Sequence, residues 1–161
     1  MKWILVNSKS AAIQEYHLLN NDSCGLIVKY NPTQHSVRLL TADYQRLFYI
    51  ENTGSLNGKY IFRNEYGIEL GYIGYDKWFG NNGLVVLENK KFQYRINNLP
   101  EAKITFLHTG TGEEIASCLI ADKFPPEDIQ HRDLSYLILA LCWQLIQPTA
   151  IAVNTIESAK K

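Results

Sequence analysis

The sequence predicts a mainly β fold: an antiparallel β-barrel of successive hairpins enclosing a hydrophobic C-terminal α-helix. Three observations predict it. The 23 residues from Leu134 to Ile156 carry no formal charge, and Leu134–Gln147 (LSYLILALCWQLIQ) has almost no polar face. From residue 24 to 120, short runs of branched and aromatic residues alternate with Gly- and Asn-containing turns. No helical pattern between those runs is long enough for a βαβ crossover, so antiparallel pairing is favoured. A helix that is apolar all round must be enclosed by protein or lipid, and the strands are the natural enclosure.

Along the chain, Trp3 to Val6 reads as a short first strand, and Ala11 to Leu19 fits neither the helical nor the strand period. Asn20–Ser23 is a turn. Strands follow at Gly25–Tyr30, Ser36–Thr41 (after Asn31-Pro32) and Arg46–Glu51. Asn57-Gly58 supplies a hairpin turn because both residues tolerate positive φ. Lys59–Arg63 leads through Asn64–Gly67 into Ile68–Tyr75, where Ile68, Leu70, Tyr72 and Gly74 share one face. Asn81-Asn82-Gly83 turns into Leu84–Leu87, and Asn89-Lys90-Lys91 turns into Phe92–Ile96, with Phe92, Tyr94 and Ile96 on one side. Ala102–His108 and Glu114–Ile120 pair across Thr109–Gly112. This gives roughly eight or nine strands. Asp133 is the expected N-cap of the final helix and Gln147-Pro148 its end. Ala150–Val153 reads as a closing strand and 157–161 as a frayed tail. The chain is expected to form a single domain over 1–161, with the hairpins in 24–120 and the helix in 133–147.

The helix has three possible settings. It threads a closed barrel, it is gripped on one side by a curved sheet beside an apolar cavity, or it spans a membrane. Its 14 residues would measure about 21 Å, matching the height of a barrel. Only Ser135, Gln144 and Gln147 are clearly polar, too few for a broad wet stripe, and the unbroken apolar run covers just Tyr136–Trp143. The sequence therefore favours the threaded barrel.

With 161 residues, 46% hydrophobic and 20% charged, the chain suits one sizeable core. Sixteen basic and sixteen acidic residues supply no long-range field for nucleic acid, so no nucleic-acid partner is expected. Cys24, Cys118 and Cys142 are far apart, without a CxxC, and read as free thiols of a reducing, cytoplasmic compartment. The N-terminal apolar run is too short for a signal peptide.

Within 46–153, Lys59-Tyr-Ile-Phe-Arg-Asn-Glu-Tyr-Gly67 forms a strand-and-turn unit, followed by Ile68-Glu-Leu-Gly-Tyr-Ile73, Gly83-Leu-Val-Val-Leu87 and Lys91-Phe-Gln-Tyr-Arg95. This succession, ending in an apolar helix, resembles the Tubby C-terminal-like superfamily, which includes the LURP-one-related and phospholipid scramblase proteins. The resemblance implies a barrel around a central helix. It also implies a lipid connection, since some members bind phosphoinositides. It carries no particular site residue onto this chain.

Signals for chemistry are sparse. His17, His35, His108 and His131 are widely separated, and no Gly-x-Ser-x-Gly elbow accompanies them. His108–Glu114 contains two glycines but no Lys-Ser/Thr, so it reads as a hairpin turn rather than a phosphate loop. Glu65 with Glu69, and Glu113 with Glu114, read as solvated carboxylates. No catalytic residue, metal or cofactor is expected. The candidate recognition site is the loop holding Tyr75, Lys77, Trp78 and Phe79, with Lys90, Lys91 and Arg95 adding cationic contact from a neighbouring hairpin. The competing reading folds Trp78 and Phe79 back to cap the barrel. The sequence thus points to a noncatalytic binding or structural domain, cytoplasmic or peripheral to a membrane, that contacts phospholipid headgroups or a protein. The alternative is a carrier of a small apolar ligand, or an enzyme with a helix-grip cavity.

Overall fold

Among the described residues, eleven strands close into one barrel around a single helix. The computed structural model describes residues 1–7, 11–54, 58–75, 81–98, 100–120 and 131–147. In chain order the strands are β1 (Lys2–Leu5), β2 (Gln14–Asn20), β3 (Ser23–Asn31), β4 (Ser36–Leu40), β5 (Gln45–Asn52) and β6 (Lys59–Arg63). β7 (Glu69–Tyr75), β8 (Asn82–Leu87), β9 (Lys90–Asn97), β10 (Lys103–Leu107) and β11 (Glu114–Ile120) follow, and the helix is α1 (His131–Ile146). Each strand from β1 to β11 pairs antiparallel with the next.

The closing seam is the exception to the expected antiparallel pattern. β1 and β11 run parallel, with Lys2 opposite Leu119 and Trp3 opposite Ile120. The reason is arithmetic: in an up-and-down series with an odd number of strands, first and last point the same way. Closure then requires a parallel pair. It removes the sheet edges that would otherwise be open to foreign strands.

Pairs of side chains from successive strands line the interior. Trp3 and Leu5, Tyr16 and Leu18, Leu26 and Val28, Val37 and Leu39, and Phe48 and Ile50 are all buried. Tyr60 and Phe62, Val85 and Leu87, Tyr94 and Ile96, Ile104 and Phe106, and Cys118 and Ile120 complete the wall. On β7 the inward pair is Gly71 and Ile73. Tyr72 is therefore on the outer face and Ile68 is 58% exposed, whereas Leu70, at the register shift between β6 and β7, is half-buried and packs against the core. The residues expected on one face are thus divided, because the irregularity at Leu70 breaks the alternation. Gly71 stands where the neighbouring backbone comes close: a Cβ would run into the Val86 carbonyl.

The chain between Ala11 and Leu19, ambiguous by period, contains β2, fixed by partners on both sides: Tyr16 opposite Leu5 on β1 and opposite Val28 on β3. Asn82 and Gly83, expected in a turn, begin β8. The turn before β9 is Glu88-Asn89, both at positive φ, so Lys90 and Lys91 are already strand residues. The helix starts at His131, which puts Asp133 in its first turn rather than at the N-cap. The expected closing strand Ala150–Val153 and the tail 157–161 lie outside the described residues.

Every residue of α1 from Leu134 to Trp143 is buried. The helix is thus covered on all sides, which excludes the gripped and membrane-spanning settings for it. No helix among the described residues is long and apolar enough to cross a membrane.

The two ends of the barrel differ. At one end are compact turns: Asn21-Asp22, 41–44, 64–68, Glu88-Asn89 and 108–113. At the other are the 32–35 turn, the strand ends at Leu5, Asn52, Tyr75 and Asn97, and the end of β11 at Ile120. α1 enters at this loop end, where Ser135 lines a cleft with Tyr30, His35 and Asn52. It ends at the turn end, where Glu88 sits close enough to Cys142 to act on its thiol electrostatically.

Candidate functional site at the loop end

Among the described residues, two concave features of the loop-end half stand out. The first is a groove of about 510 Å³ on the barrel wall, lined by Gly74, Asn82, Gly83, Leu84, Gln93, Tyr94, Arg95 and Leu107. Its floor is low because Gly74 presents no side chain on the outer face. Gly83, on the neighbouring strand, is crowded from inside by the Tyr94 hydroxyl. Asn82 stands directly opposite Arg95, and Gln93 directly opposite Leu84, so amide, guanidinium and apolar groups alternate along the groove.

This geometry sorts the cations expected to serve the aromatic loop. Arg95 is exposed at the strand end where the 76–81 connection returns. Lys90 and Lys91 pair with Leu87 and Val86, roughly 13–17 Å down the same hairpin toward the turn end. Arg95 is therefore at the strand end nearest Asn82, while Lys90 and Lys91 are at the opposite end of the hairpin. Tyr75 is the last residue of β7. Lys77, Trp78 and Phe79 lie outside the described residues.

The second feature is a cleft of about 580 Å³ lined by Tyr30, Gln34, His35, Ile50, Glu51, Asn52, Tyr60 and Ser135. Its frame is well tied. The Asn31 side-chain oxygen accepts from the backbone N–H groups of Thr33 (3.0 Å) and Gln34 (3.1 Å), setting the β3–β4 turn. His35 then adopts φ 49°, and its carbonyl accepts the Ile50 N–H at 2.8 Å. Below it, the Tyr30 ring stacks on Tyr136 (centroids 4.2 Å apart, planes 8° apart). Tyr136 in turn donates its hydroxyl to that of Tyr16 at 2.8 Å.

Ser135, His35 and Glu51 line this cleft together, yet they are not arranged as a hydrolytic triad. Glu51 Oε2 accepts from Arg63 Nε at 2.8 Å, a bond that raises the guanidinium pKa, and Ser135 belongs to a helix rather than to a strand–turn elbow. Elsewhere, the Glu15 carboxylate on the outer wall accepts from His17 at 2.8 Å and pairs with Lys29 at 3.3 Å. The His17 contact is the main reason its pKa is lowered. Both inner thiols are inert: burial pushes Cys118 and Cys142 up to about 12. Among the described residues no group of His, Cys, Asp or Glu is placed to hold a metal ion.

The sequence did not disclose either cavity. A glycine inside a strand pattern, as at Gly74 and Gly83, is the one local signal for the groove. The cleft assembles residues from three strands, one turn and the helix and has no local signal. No protein-family model matches the chain, and no curated protein and no solved structure matches it.

Proposed function

We propose that this chain is a noncatalytic binding domain that engages phospholipid headgroups with the loop end of its barrel, and that it is a divergent relative of the Tubby C-terminal-like barrels. One observation carries the reading: α1 fills the barrel axis, so recognition groups are left to the rim and outer wall. On that wall Arg95 supplies an exposed cation beside Leu84 and Leu107. This is an amphiphilic pairing suited to a phosphate above acyl carbon. The adjoining loop sequence Tyr75-Asp-Lys-Trp-Phe79 has the composition of an interfacial anchor. The barrel around a central helix supports the kinship on architecture alone.

Sedimentation with vesicles of neutral lipid, with and without an anionic phospholipid, tests this function. Binding to the anionic vesicles is expected, with loss in both the Trp78→Ala/Phe79→Ala and the Arg95→Ala variants. Equal binding by wild type and variants, or none by any of them, removes the lipid function. A protein partner at the same end is then the remaining reading, while the apolar-ligand carrier draws no support from an axis occupied by a helix.

A further inference from the structure

We propose that the mouth cleft between the β3–β4 turn and the first turns of α1 is a second binding site, taking a neutral polyhydroxylated ligand such as a pyranose. The argument begins with charge. Among the described residues Glu51 is the one carboxylate in the lining and no lysine or arginine lines the cleft; Arg63 holds Glu51 at 2.8 Å. A phosphate or carboxylate would have to compete with Glu51 for Arg63. An ammonium ligand would have to compete with Arg63.

The polar groups that face a ligand are of mixed character: Gln34 and Asn52 offer amides and His35 an imidazole, with the buried Ser135 and Tyr60 behind them. Each of these can donate and accept, or offers both kinds of atom side by side. A sugar hydroxyl likewise donates and accepts, so such a set matches a ring of hydroxyls better than it matches a net charge. Asn52 is pre-set for this role: its Oδ1 is held by the Gly54 N–H at 2.9 Å, which fixes the direction of its amide nitrogen. Tyr30 adds an aromatic wall whose plane is set by its stack on Tyr136, and Ile50 adds an apolar patch. Aromatic faces and apolar carbon suit the C–H face of a pyranose. The volume of about 580 Å³ lies within the range of small-molecule sites. Because the turn, the amide and the ring are already held, little ordering is needed on binding.

The site is independent of the Arg95 groove, which shares no lining residue with it. The test is ¹⁵N-resolved NMR titration of the whole chain with methyl glucoside, methyl galactoside and methyl mannoside, set against glucose 6-phosphate and glucosamine. His35→Gly and Asn52→Ala are the site variants. His35→Gly keeps the fold because glycine adopts the positive φ freely. Arg95→Ala is the control, and thermal midpoints confirm that each variant is folded. At least one neutral glycoside is expected to shift resonances around Gln34, His35 and Asn52 at millimolar concentration. Each site variant should weaken that binding by about tenfold, and Arg95→Ala should leave it unchanged. Absence of shifts with all three glycosides at tens of millimolar overturns the proposal. So does tighter binding of the phosphate or amine probe, or binding that survives both site variants.

Discussion

The Tyr136 hydroxyl, on the buried helix, donates to the Tyr16 hydroxyl of β2 at 2.8 Å, joining residues 120 positions apart inside the barrel. Gln14 Oε1 lies 3.5 Å from both hydroxyls, so the helix is keyed to one azimuth and one height against the wall. Apolar packing alone is tolerant of small slides and rotations; a buried hydroxyl pair is not.

Tyr136→Phe should therefore destabilise the protein by about 1–3 kcal/mol, because it leaves the Tyr16 hydroxyl short of a partner in a dry setting. Urea unfolding of Tyr136→Phe, Tyr16→Phe and the double variant checks this. The double variant should cost less than the sum of the two singles, since it removes both hydroxyls. Strict additivity would show that the pair is not coupled.

Ala140 is fully buried in the middle of α1. Ala140→Leu should cost about 1–3 kcal/mol through overpacking. Leu137→Ala, at another fully buried position, should cost about 2–5 kcal/mol through the cavity it leaves. Leu139 is equally buried and roughly 200° around the helix from Leu137, so Leu139→Ala should cost a similar amount; a nearly neutral result for either leucine in a denaturation curve would reveal a water-facing stripe.

Two glycines three residues apart on β7 should respond oppositely to alanine. At Gly71 a Cβ would strike the Val86 carbonyl, so Gly71→Ala should sharply lower the thermal midpoint or prevent folding. At Gly74 the nearest atom to a Cβ is the Tyr72 ring edge at 4.0 Å, so Gly74→Ala should fold normally. The same methyl narrows the Arg95 groove, so this variant separates groove function from stability in the vesicle assay.

Thiol chemistry follows burial. Cys24 is exposed, while Cys118 and Cys142 are buried. A chromogenic disulfide reagent should label one thiol rapidly in the native protein and all three in denaturant. Fast native labelling of a second thiol would contradict the enclosed helix.

Alkaline pH should destabilise the fold through the same two thiols. Their folded values are raised from 9.0 to about 12, so the unfolded chain releases protons first. Their contribution is complete below pH 9 and is lost as pH climbs toward 12. The Cys118→Ala/Cys142→Ala variant should lose less stability between those limits, as read by urea midpoints across the alkaline range.

Glu15 gives the opposite sign. Its lowered pKa makes the His17 and Lys29 contacts favourable above the ordinary carboxylate range and lost as pH falls through the folded value. Being partly exposed, this cluster should contribute little, and Glu15→Gln should shift the acid limb of the stability curve only slightly.

By itself the sequence determined the element types and the central relationship. A rod such as Leu134–Trp143, with bulky side chains at every azimuth, has no stable position except inside something, and the alternating strands with their Asn and Gly turns supply the sleeve. Those are local signals, written in periodicity and in residues that tolerate positive φ. Tertiary structure alone decided the rest. It settled the strand state of Gln14–Asn20, the outward face of Tyr72, the half-buried place of Leu70, the parallel seam between β1 and β11, and the company each cation keeps. A strand's inner face depends on the register of its two neighbours, and closure depends on whether the strand total is odd. A cleft such as that around Ser135 gathers residues whose positions in the chain carry no trace of one another. Such quantities exist only once the whole ring is joined.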